Sequence, residues 1–264
     1  MFQSSQHTFA ICAYKESPFL EECILSLKGQ AEPTNIIMST ATPNTFISSM
    51  AQKHEIPLFI NTKSPSIGSD WNFAYCQTKT PLVTIAHQDD IYCSEYAEQM
   101  LAAINHSVNP LLYFTDYGEI RGENKVDKNR LLSIKRFLLA PLTRKRNQRS
   151  IFVRRRILSL GSPICCPSVT MVKSSLGTPF FQEDFFKCNL DWQAWEKASR
   201  LEGSFVYNSN ILLYHRIHED SETSLLIEDN TRGAEDLAML ELFWPTFLAK
   251  FVNHFYARGQ KSNG

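Results

Sequence analysis

Short apolar runs alternate with amphipathic segments along the first 116 residues of this 264-residue chain. Five runs have the length and composition of buried strands, at residues 9–13, 35–39, 58–61, 82–86 and 111–115. Apolar side chains at helical spacing predict four helices between them, near residues 18–27, 43–50, 68–77 and 94–105. Strands separated by helices of this length predict an α/β fold with a mostly parallel sheet and right-handed crossovers.

After residue 116 the alternation of apolar strands and amphipathic helices is no longer regular. Seven lysines and arginines fall within residues 144–156 and predict a basic helical segment. This segment is either a solvated helix face or a binding surface for an anionic lipid, a phosphate-bearing acceptor or a donor pyrophosphate. Farther on, residues 168–172 have a strand pattern, a helix is expected from Asn189 to about Leu201, and residues 205–215 predict one or two strands.

The C-terminal part of the chain carries a long amphipathic helix pattern that Pro245 interrupts. Its apolar positions are expected to cover the core, with a membrane-facing role as the alternative; they are Leu237, Leu240, Phe243, Trp244, Phe247, Leu248 and Phe251. No apolar run reaches the roughly 18–20 residues that a helix needs to cross a bilayer.

Composition narrows the class of protein. Hydrophobic residues make up 43% of the chain and charged residues 20%, which is ordinary for a soluble globular protein. The formal net charge is zero, so no overall field attracts nucleic acid, which is not an expected partner. Seven irregularly spaced cysteines argue against a disulfide framework, and the absence of Cys-x-x-Cys argues against a structural zinc site. The N-terminus lacks a signal-peptide pattern. We therefore expect a cytoplasmic protein, with peripheral contact at the inner face of the plasma membrane as a further expectation.

Two adjacent carboxylates, Asp89 and Asp90, directly follow the fourth predicted strand. Adjacent acids are costly to hold together unless a positive group lies beside them. A divalent cation that also holds a substrate phosphate is one solution, and a solvated turn is the plain alternative. Ligands of open parallel sheets bind beyond the carboxyl ends of the strands, where Tyr14 and Asp116 are also expected. This placement favours the metal site.

Five segments occur in the order of the motifs of family 2 glycosyltransferases. Residues 9–27 resemble the opening of that family, a strand that ends in a Thr-Tyr-Asn-like turn and enters a helix reading Leu-Glu-x-x-Ile-x-Ser-Leu. Residues 68–74 read Gly-Ser-Asp-Trp-Asn-Phe-Ala, which resembles the segment that usually carries Ala-Arg-Asn. Residues 86–92 read Ala-His-Gln-Asp-Asp-Ile-Tyr, similar to the Asp-x-Asp-Asp metal motif. Residues 189–192 resemble the acidic motif of the catalytic base, and residues 216–223 resemble the Arg-x-His-x-x-Ser ending of the catalytic domain.

The resemblance implies a GT-A fold, a three-layer sandwich with a mostly parallel central sheet, and leaves a helical C-terminal extension. The implied catalytic domain is residues 1–225, with a nucleotide-sugar-binding half at 1–116 and an acceptor-binding half at 117–225; the extension is residues 226–264. The implied activity is inverting, hexosyltransferase-type transfer from a nucleotide diphosphate sugar to a glycan or lipid-linked acceptor hydroxyl, as in cell-envelope polysaccharide synthesis. The implied cofactor is a divalent cation, Mn²⁺ or Mg²⁺.

The resemblance also implies roles for particular residues. Asp191 is the expected catalytic base for the acceptor hydroxyl, with a helix-start residue as its plain alternative and the pair Glu183 and Asp184 as second candidates for the base. The expected metal ligands, which would stabilise charge on the leaving diphosphate, are Asp89, Asp90 and His218. The expected contacts of the nucleotide-sugar are Ala13, Tyr14, Lys15, Asn72, His87 and Gln88.

Several of these side chains have alternative roles that the sequence leaves open. Tyr14 could be a packing residue, and Asn72 could satisfy a helix or loop hydrogen bond. His218 could bind the pyrophosphate or lie on the surface. Three other histidines are expected to be structural or exposed, namely His54, His106 and His215.

The chain departs from the family pattern at three places. His87 stands where the first Asp of the metal motif is usual; an imidazole could still bind a metal or the ribose, but the lost charge should weaken binding of a hard cation. Trp71 replaces the usual Arg before Asn72, and residues 39–42 lack the acids that contact the base in relatives. The alternatives are therefore an inactive glycan- or nucleotide-binding scaffold of this fold and a sugar-phosphate nucleotidyltransferase, which the lack of glycine in residues 13–16 disfavours.

Overall fold

The computed structural model describes residues 1–64, 66–182, 186–218 and 231–261. Its strands are β1 (His7–Cys12), β2 (Asn35–Thr40), β3 (Leu58–Ile60), β4 (Leu82–His87), β5 (Ile91–Tyr92), β6 (Pro110–Arg121), β7 (Asn124–Val126), β8 (Val169–Val172) and β9 (Ser204–Ile217). Its helices are α1 (Leu20–Lys28), α2 (Thr45–Lys53), α3 (Ile67–Gln77), α4 (Tyr96–Asn105), α5 (Arg130–Leu139), α6 (Lys145–Gln148), α7 (Ile151–Leu158), α8 (Lys173–Leu176), α9 (Leu190–Ser199), α10 (Thr231–Glu241) and α11 (Thr246–Lys261).

The described strands form one sheet in the order β3-β2-β1-β4-β8-β6-β9-β5, and β7 pairs with the outer part of β6. The pairs among β1, β2, β3 and β4 are parallel, as the alternation of strands and helices predicts. β8 runs antiparallel to both β4 and β6, whereas β6 and β9 are parallel. The predicted α/β fold is confirmed, and its parallel pairs are concentrated in residues 7–87.

Successive residues of β1 point to opposite faces of the sheet and enter two separate cores. Phe9 and Ile11 pack with α1, α2 and α4 on one face. Ala10 belongs to the other core, which α3, α7 and α9 cover. Helices therefore enclose the sheet on both sides, which gives three layers and leaves the strand ends as the place where side chains can meet a ligand.

Polar side chains fix where the helices before the site begin. The side chains of Asn44 and Ser66 accept hydrogen bonds from backbone N–H groups in the first turns of α2 and α3. The prediction that α1 begins at Pro18 is wrong by two residues, because residues 17–19 form a turn in which the Ser17 hydroxyl accepts a hydrogen bond from the Phe19 N–H.

The two long strands of the second half differ from their predictions. β6 continues to Arg121, so the prediction that Asp116 lies beyond a strand end is wrong. The backbone past Asp116 remains extended because β9 continues alongside it, with shifts of register near this residue. Asp116 instead pairs with Arg136 of α5. The choice between one and two strands at residues 205–215 resolves to the single strand β9.

The C-terminal pattern divides into α10 and α11 around Pro245, as predicted. Met239, Leu240 and Ala249 are buried in the core that α9 shares. Phe247 and Phe251 are exposed, so their prediction as core positions is wrong; α11 turns the stripe that contains Ala249 inward instead. None of the helices in the described ranges is both long and apolar enough to span a membrane.

The basic segment forms α6 and α7 and does not present all its cations to solvent. Arg154 is completely buried, lies over the Phe205 ring and donates a 2.6 Å hydrogen bond to the carbonyl of Leu201. Arg155 pairs with Glu196 of α9. These two arginines therefore hold α7 against α9 and the chain that follows it.

Candidate functional site

The loops after β1 and β4 leave the sheet side by side. Cys12 lies opposite His87 in the parallel register of these strands, so residues 13–15 are neighbours of residues 88–90. The Gln88 side chain joins the two loops: its Oε1 accepts a hydrogen bond from the Tyr14 N–H (2.9 Å), and its Nε2 donates to the Tyr14 carbonyl (3.0 Å). The structure thus brings these predicted donor-binding residues together, with Gln88 fixing the Tyr14 backbone.

The turn after β1 is held from both sides. The Ala13 N–H donates to the Ser39 carbonyl (2.8 Å), and the Lys15 N–H donates to the Thr42 hydroxyl (2.7 Å). Lys15 has a φ of 53°, which is uncommon for a residue with a side chain and is frequent at ligand-binding turns. Its exposed ammonium lies 4.9 Å from the centre of the Tyr14 ring. This turn therefore presents an aromatic ring and a cation next to the acids that follow β4.

Asp90 is 0% exposed and lies at the centre of the site. Its Oδ1 accepts hydrogen bonds from His215 Nδ1 (2.8 Å) and from the Arg216 N–H (3.0 Å). Its other oxygen, Oδ2, lies 3.9 Å from His87 Nδ1 and has no hydrogen-bond partner among the described residues. A buried carboxylate of this kind needs a positive neighbour, and only one of its two oxygens has one within hydrogen-bond distance.

The two histidines beside Asp90 differ in charge because their pKa values shift in opposite directions. Burial alone lowers the pKa of His215, but the Asp90 charge and hydrogen bond, together with the Asp89 charge, raise this pKa to about 9. Burial also lowers the pKa of His87, and the charges of Asp90 and Asp89 offset this only in part. At neutral pH, His215 is therefore the positive partner of Asp90, whereas His87 is neutral and can offer a lone pair.

Asp89 and His218 form a second, more accessible pair. Asp89 Oδ2 lies 2.9 Å from His218 Nε2, and both side chains are partly exposed. Burial raises the pKa of Asp89, but the neighbouring imidazoles of His87 and His215 and the hydrogen bond with His218 outweigh it and lower this pKa overall. Asp89 is therefore ionised. Two of the predicted metal ligands thus meet across 129 residues of sequence.

Arg216 joins the end of β9 to the loop after β4. Its Nε donates to the backbone carbonyl of Asp89 (3.0 Å), and its NH2 group donates to Glu22 of α1 (2.5 Å). The guanidinium also lies 4.1 Å from the centre of the Phe19 ring. These contacts place the Arg-x-His segment against the loop after β4; residues 219–223 of that motif lie outside the described residues.

His215, which the sequence predicts to be structural or exposed, pairs with Asp90 and is also one of three side chains that could hold a metal ion. Ligand atoms of His87, Asp90 and His215 all lie within 4.8 Å of one another. His87 Nε2 and Asp90 Oδ2 are also buried without a hydrogen-bond partner among the residues the structure describes. These donors fit a divalent cation, and imidazole donors favour Mn²⁺ or a softer metal over Mg²⁺. This set shares Asp90 with the predicted set of Asp89, Asp90 and His218.

Two histidines outside the site, His54 and His106, agree with the prediction that they are structural or exposed. His54 pairs with Glu21, and His106 is exposed. No sequence signal separates His215 from these two, because its role depends on the pairing of β9 with β5, in which Tyr214 lies opposite Ile91.

Asp191, the predicted base, lies in the first turn of α9. Its Oδ1 accepts a hydrogen bond from the Trp192 N–H (2.7 Å). Burial lowers the pKa of His87 overall, and the Asp191 charge is the smallest of the influences that oppose this shift. The other candidate bases, Glu183 and Asp184, lie outside the described residues.

The segment that leads into α9 is held by α10, a contact that sequence analysis missed. The carboxylate of Glu235 accepts hydrogen bonds from three consecutive backbone N–H groups, those of residues 187–189, at 2.8–3.0 Å. Asp236 accepts a further bond from the Asn189 side chain (2.8 Å). Both acids are buried. The position of Asp191 therefore depends on a helix that lies more than 40 residues farther along the chain.

Replacing Glu235 by alanine is expected to lower the free energy of unfolding by about 2–3 kcal/mol, because it leaves three backbone N–H groups without their charged acceptor. Denaturation in urea, followed by circular dichroism, measures this loss. Glu235→Gln keeps one acceptor oxygen and should lose less, and Glu241→Ala, at the exposed end of α10, is the matched control. Equal losses for Glu235→Ala and Glu241→Ala would show that the carboxylate does not hold this segment.

Asn72 holds backbone in this structure. Its Oδ1 accepts hydrogen bonds from the N–H groups of Phe181 (3.0 Å) and Phe180 (3.2 Å), and its Nδ2 donates to the Phe181 carbonyl (2.8 Å). The loop hydrogen bond that the sequence leaves open for Asn72 is therefore present. Beside it, Trp71 stacks on the His87 ring, with centres 5.4 Å apart and planes 23° apart. Trp71 thus supports the His87 imidazole.

Lys135 of α5 is a second cation near the site that sequence analysis missed. Its ammonium donates to the Tyr117 hydroxyl (2.8 Å), and the Tyr117 ring lies 6.5 Å from the His215 ring. The Lys135 charge opposes, without cancelling, the rise in the His215 pKa that Asp90 causes. The only sequence signal is its position at the edge of the basic segment. It places a positive charge near the site.

The sheet order and the helices on both faces match the GT-A fold, one of the folds found among nucleotide-sugar glycosyltransferases. The predicted fold class is thereby confirmed. No protein-family model matches the sequence, and no curated protein matches it.

Several solved structures share the fold of this chain. A mannosyltransferase from Pyrobaculum calidifontis, in complex with GDP-mannose and Mn²⁺, matches with a TM-score of 0.63 and 13% identity, over 96% of this chain and 69% of its own. TarS from S. aureus in complex with UDP-GlcNAc matches with a TM-score of 0.58 and 15% identity, over 83% of this chain and 60% of its own. Glucosyl-3-phosphoglycerate synthase from Mycobacterium tuberculosis, in complex with Mn²⁺ and UDP-glucose, matches with a TM-score of 0.58 and 12% identity, over 89% of this chain and 79% of its own. The chain thus spans only about three fifths of the TarS fragment, and these identities show a shared fold alone.

Proposed function

We propose that this protein is a family 2 type glycosyltransferase that moves a sugar from a nucleotide diphosphate donor to an acceptor hydroxyl. The observation that carries this proposal is the meeting of Asp89, Asp90 and His218 at the ends of β4 and β9, beside the turn that presents Tyr14. The three fold neighbours are glycosyltransferases crystallised with nucleotide-sugars, which supports the class of reaction.

The donor is proposed to bind across the turn after β1. Tyr14 stacks on or lies beside the nucleobase, and the backbone of Ala13 and Lys15 supplies polar contacts. Gln88 acts by orienting the Tyr14 backbone, since both ends of its amide are bonded to it. His87, stacked on Trp71, lines the same site and is available to the ribose or to the cation. Asn72 contributes by holding the backbone of residues 180–181.

The cation is proposed to bind Asp89 and His218, and Mn²⁺ is the expected ion. These two side chains are partly exposed and so can bind a cation that also contacts a substrate phosphate, whereas Asp90 is enclosed and already paired with His215. When bound, such a cation stabilises the negative charge that develops on the leaving diphosphate. The His87–Asp90–His215 set is the alternative location.

Asp191 is proposed to take the proton from the acceptor hydroxyl while that oxygen attacks the anomeric carbon from the face opposite the diphosphate. A single displacement of this kind inverts the anomeric centre. We infer a hexose donor and a glycan or lipid-linked acceptor, as in cell-envelope polysaccharide synthesis, on the resemblance of the motifs.

A nucleoside diphosphate with Mn²⁺ is expected to raise the melting temperature of the protein, since a ligand at 100 times its Kd stabilises by about 2.7 kcal/mol. Scanning fluorimetry with UDP and GDP, with Mn²⁺ or with EDTA, measures this. Asp89→Asn and His218→Ala should abolish the Mn²⁺-dependent part of the shift. Glu123→Gln, in the exposed turn after β6, is the control and should retain it.

Two other outcomes of this experiment are informative. A shift that survives in Asp89→Asn and is lost in His87→Ala would place the cation at the His87–Asp90–His215 set. If no nucleoside diphosphate raises the melting temperature in the presence of Mn²⁺, the inactive scaffold is favoured. It is the second candidate because His87 stands where the metal motif usually has its first acid.

A further inference from the structure

The charge of this neutral chain is distributed unevenly. Residues 128–182 contain twelve lysines and arginines and no aspartate or glutamate, so the rest of the chain carries the balancing acids. The structure uses some of these cations internally: Arg136 pairs with Asp116, Arg155 with Glu196, and Arg154 is buried. Lys135 donates to the Tyr117 hydroxyl, and Arg156 lies over the Trp244 ring.

Five exposed cations lie on or beside α5 and α6, namely Arg130, Arg144, Lys145, Arg146 and Arg149. No carboxylate among the described residues lies within ion-pair distance of any of them. Because α5 packs against α7 and both contact the turn at Ala140–Thr143 that α6 also contacts, these cations belong to one patch of surface.

The same patch exposes large apolar side chains. Ile134 and Phe137 follow Arg130 at positions i+4 and i+7 of α5 and form one exposed stripe, while Leu132 and Leu139 are buried. Ile151 and Phe152 are exposed at the start of α7. The two phenylalanines are 78% and 75% exposed. We call the five cations and these four apolar residues the basic face.

We propose that the basic face binds the surface of an anionic lipid bilayer, with Phe137 and Phe152 entering the headgroup region and the cations contacting lipid phosphates. Exposed bulky apolar side chains beside unpaired lysines and arginines are the combination that favours interfacial binding. A second copy of this chain is disfavoured, because a symmetric contact through this face would bring five unpaired cations against the same five. This binding does not depend on the proposed transferase activity.

Sedimentation of the full chain with phosphatidylcholine vesicles, with and without phosphatidylglycerol, tests the proposal. We expect binding to the anionic vesicles only, and weaker binding in high salt. Arg144→Gln/Lys145→Gln/Arg149→Gln should lower the partition coefficient by about a hundredfold, since each cation contributes a few-fold. Phe137→Ser/Phe152→Ser should lower it by about tenfold or more.

The control variants carry equivalent changes elsewhere on the surface. Lys28→Gln/Lys63→Gln/Lys79→Gln removes three exposed cations outside the basic face, and Leu25→Ser/Val108→Ser removes two exposed apolar side chains. Both should bind vesicles like the unchanged protein. Because every altered residue is exposed, all variants should fold, which circular dichroism verifies.

Three results would overturn the proposal. The first is no binding to anionic vesicles, and the second is an equal loss in the control variants. The third is a dimer, seen by light scattering, that Phe137→Ser/Phe152→Ser converts to monomer; it would assign the face to a second copy. None of these readouts uses sugar transfer, so a failure to bind vesicles leaves the proposed function unaffected. A failure to transfer sugar likewise leaves the proposed membrane binding unaffected.

Discussion

Replacing Asp191 by asparagine is expected to lower the turnover number for sugar transfer by about 10²–10⁴-fold while leaving donor binding unchanged. Asparagine has the same shape as aspartate and can still accept the hydrogen bond from the Trp192 N–H, so α9 should begin as before. An amide cannot take a proton from the acceptor hydroxyl at neutral pH, so the substitution should slow the chemical step and leave donor affinity unchanged. Steady-state kinetics with saturating donor, together with calorimetric titration of the nucleoside diphosphate, separate the two effects.

Glu202→Gln is the matched control for this variant. Glu202 is an exposed carboxylate just beyond the C-terminal end of α9, and its loss should change neither the turnover number nor the donor affinity. Full activity in Asp191→Asn would remove this residue as the base. An equal loss of activity and of donor affinity would instead indicate a change in the structure of the site.

Replacing Asp90 by alanine is expected to lower the free energy of unfolding by about 3–5 kcal/mol. The variant leaves the buried Arg216 N–H without an acceptor and removes the negative partner of His215. Asp90→Asn should lose less, because its amide oxygen can still accept both hydrogen bonds. Urea denaturation in EDTA at pH 7 measures the difference. A loss below about 1 kcal/mol for Asp90→Ala, as for an exposed ion pair, would contradict the assigned role.

The same pair predicts how stability depends on pH. The pKa of His215 is raised from 6.5 to about 9 in the folded protein, so folding takes up a proton between these values. The contribution of the pair is therefore fully present below pH 6.5 and is lost as the pH rises through about 9. Asp90→Ala should lack this dependence, which denaturation at pH 6, 7.5 and about 9.5 would reveal.

The sequence predicts the parallel half of the fold well because its signals are local. The apolar runs at β1 and β4 and the helical spacing in α1 and α3 each lie within about a dozen residues, the range over which periodicity reports secondary structure. Asp116 was misplaced because β6 stays extended past it through its pairing with β9, a partner about 90 residues away, and with β7.

The sequence predicts only part of the site, because local patterns do not show which distant residues meet. Asp89 and Asp90 are visible at a strand end, but only the resemblance joins them to His218, 129 residues away. His215 and Glu235 were missed because their partners are set by the register of β9 and by the packing of α10, and neither leaves a periodic signal. Arg154 shows the reverse case: the sequence places it in a basic run, whereas the fold buries it against Phe205.

The most direct test of the account incubates the purified chain and Mn²⁺ with a panel of nucleotide-sugars and measures release of the nucleoside diphosphate. We predict slow, Mn²⁺-dependent release or saturable binding with at least one donor, abolished in Asp89→Asn and unchanged in Glu123→Gln. No binding and no release with any donor, in the presence of Mn²⁺ and a correctly folded protein, would contradict the claim that this strand-end site binds a nucleotide-sugar.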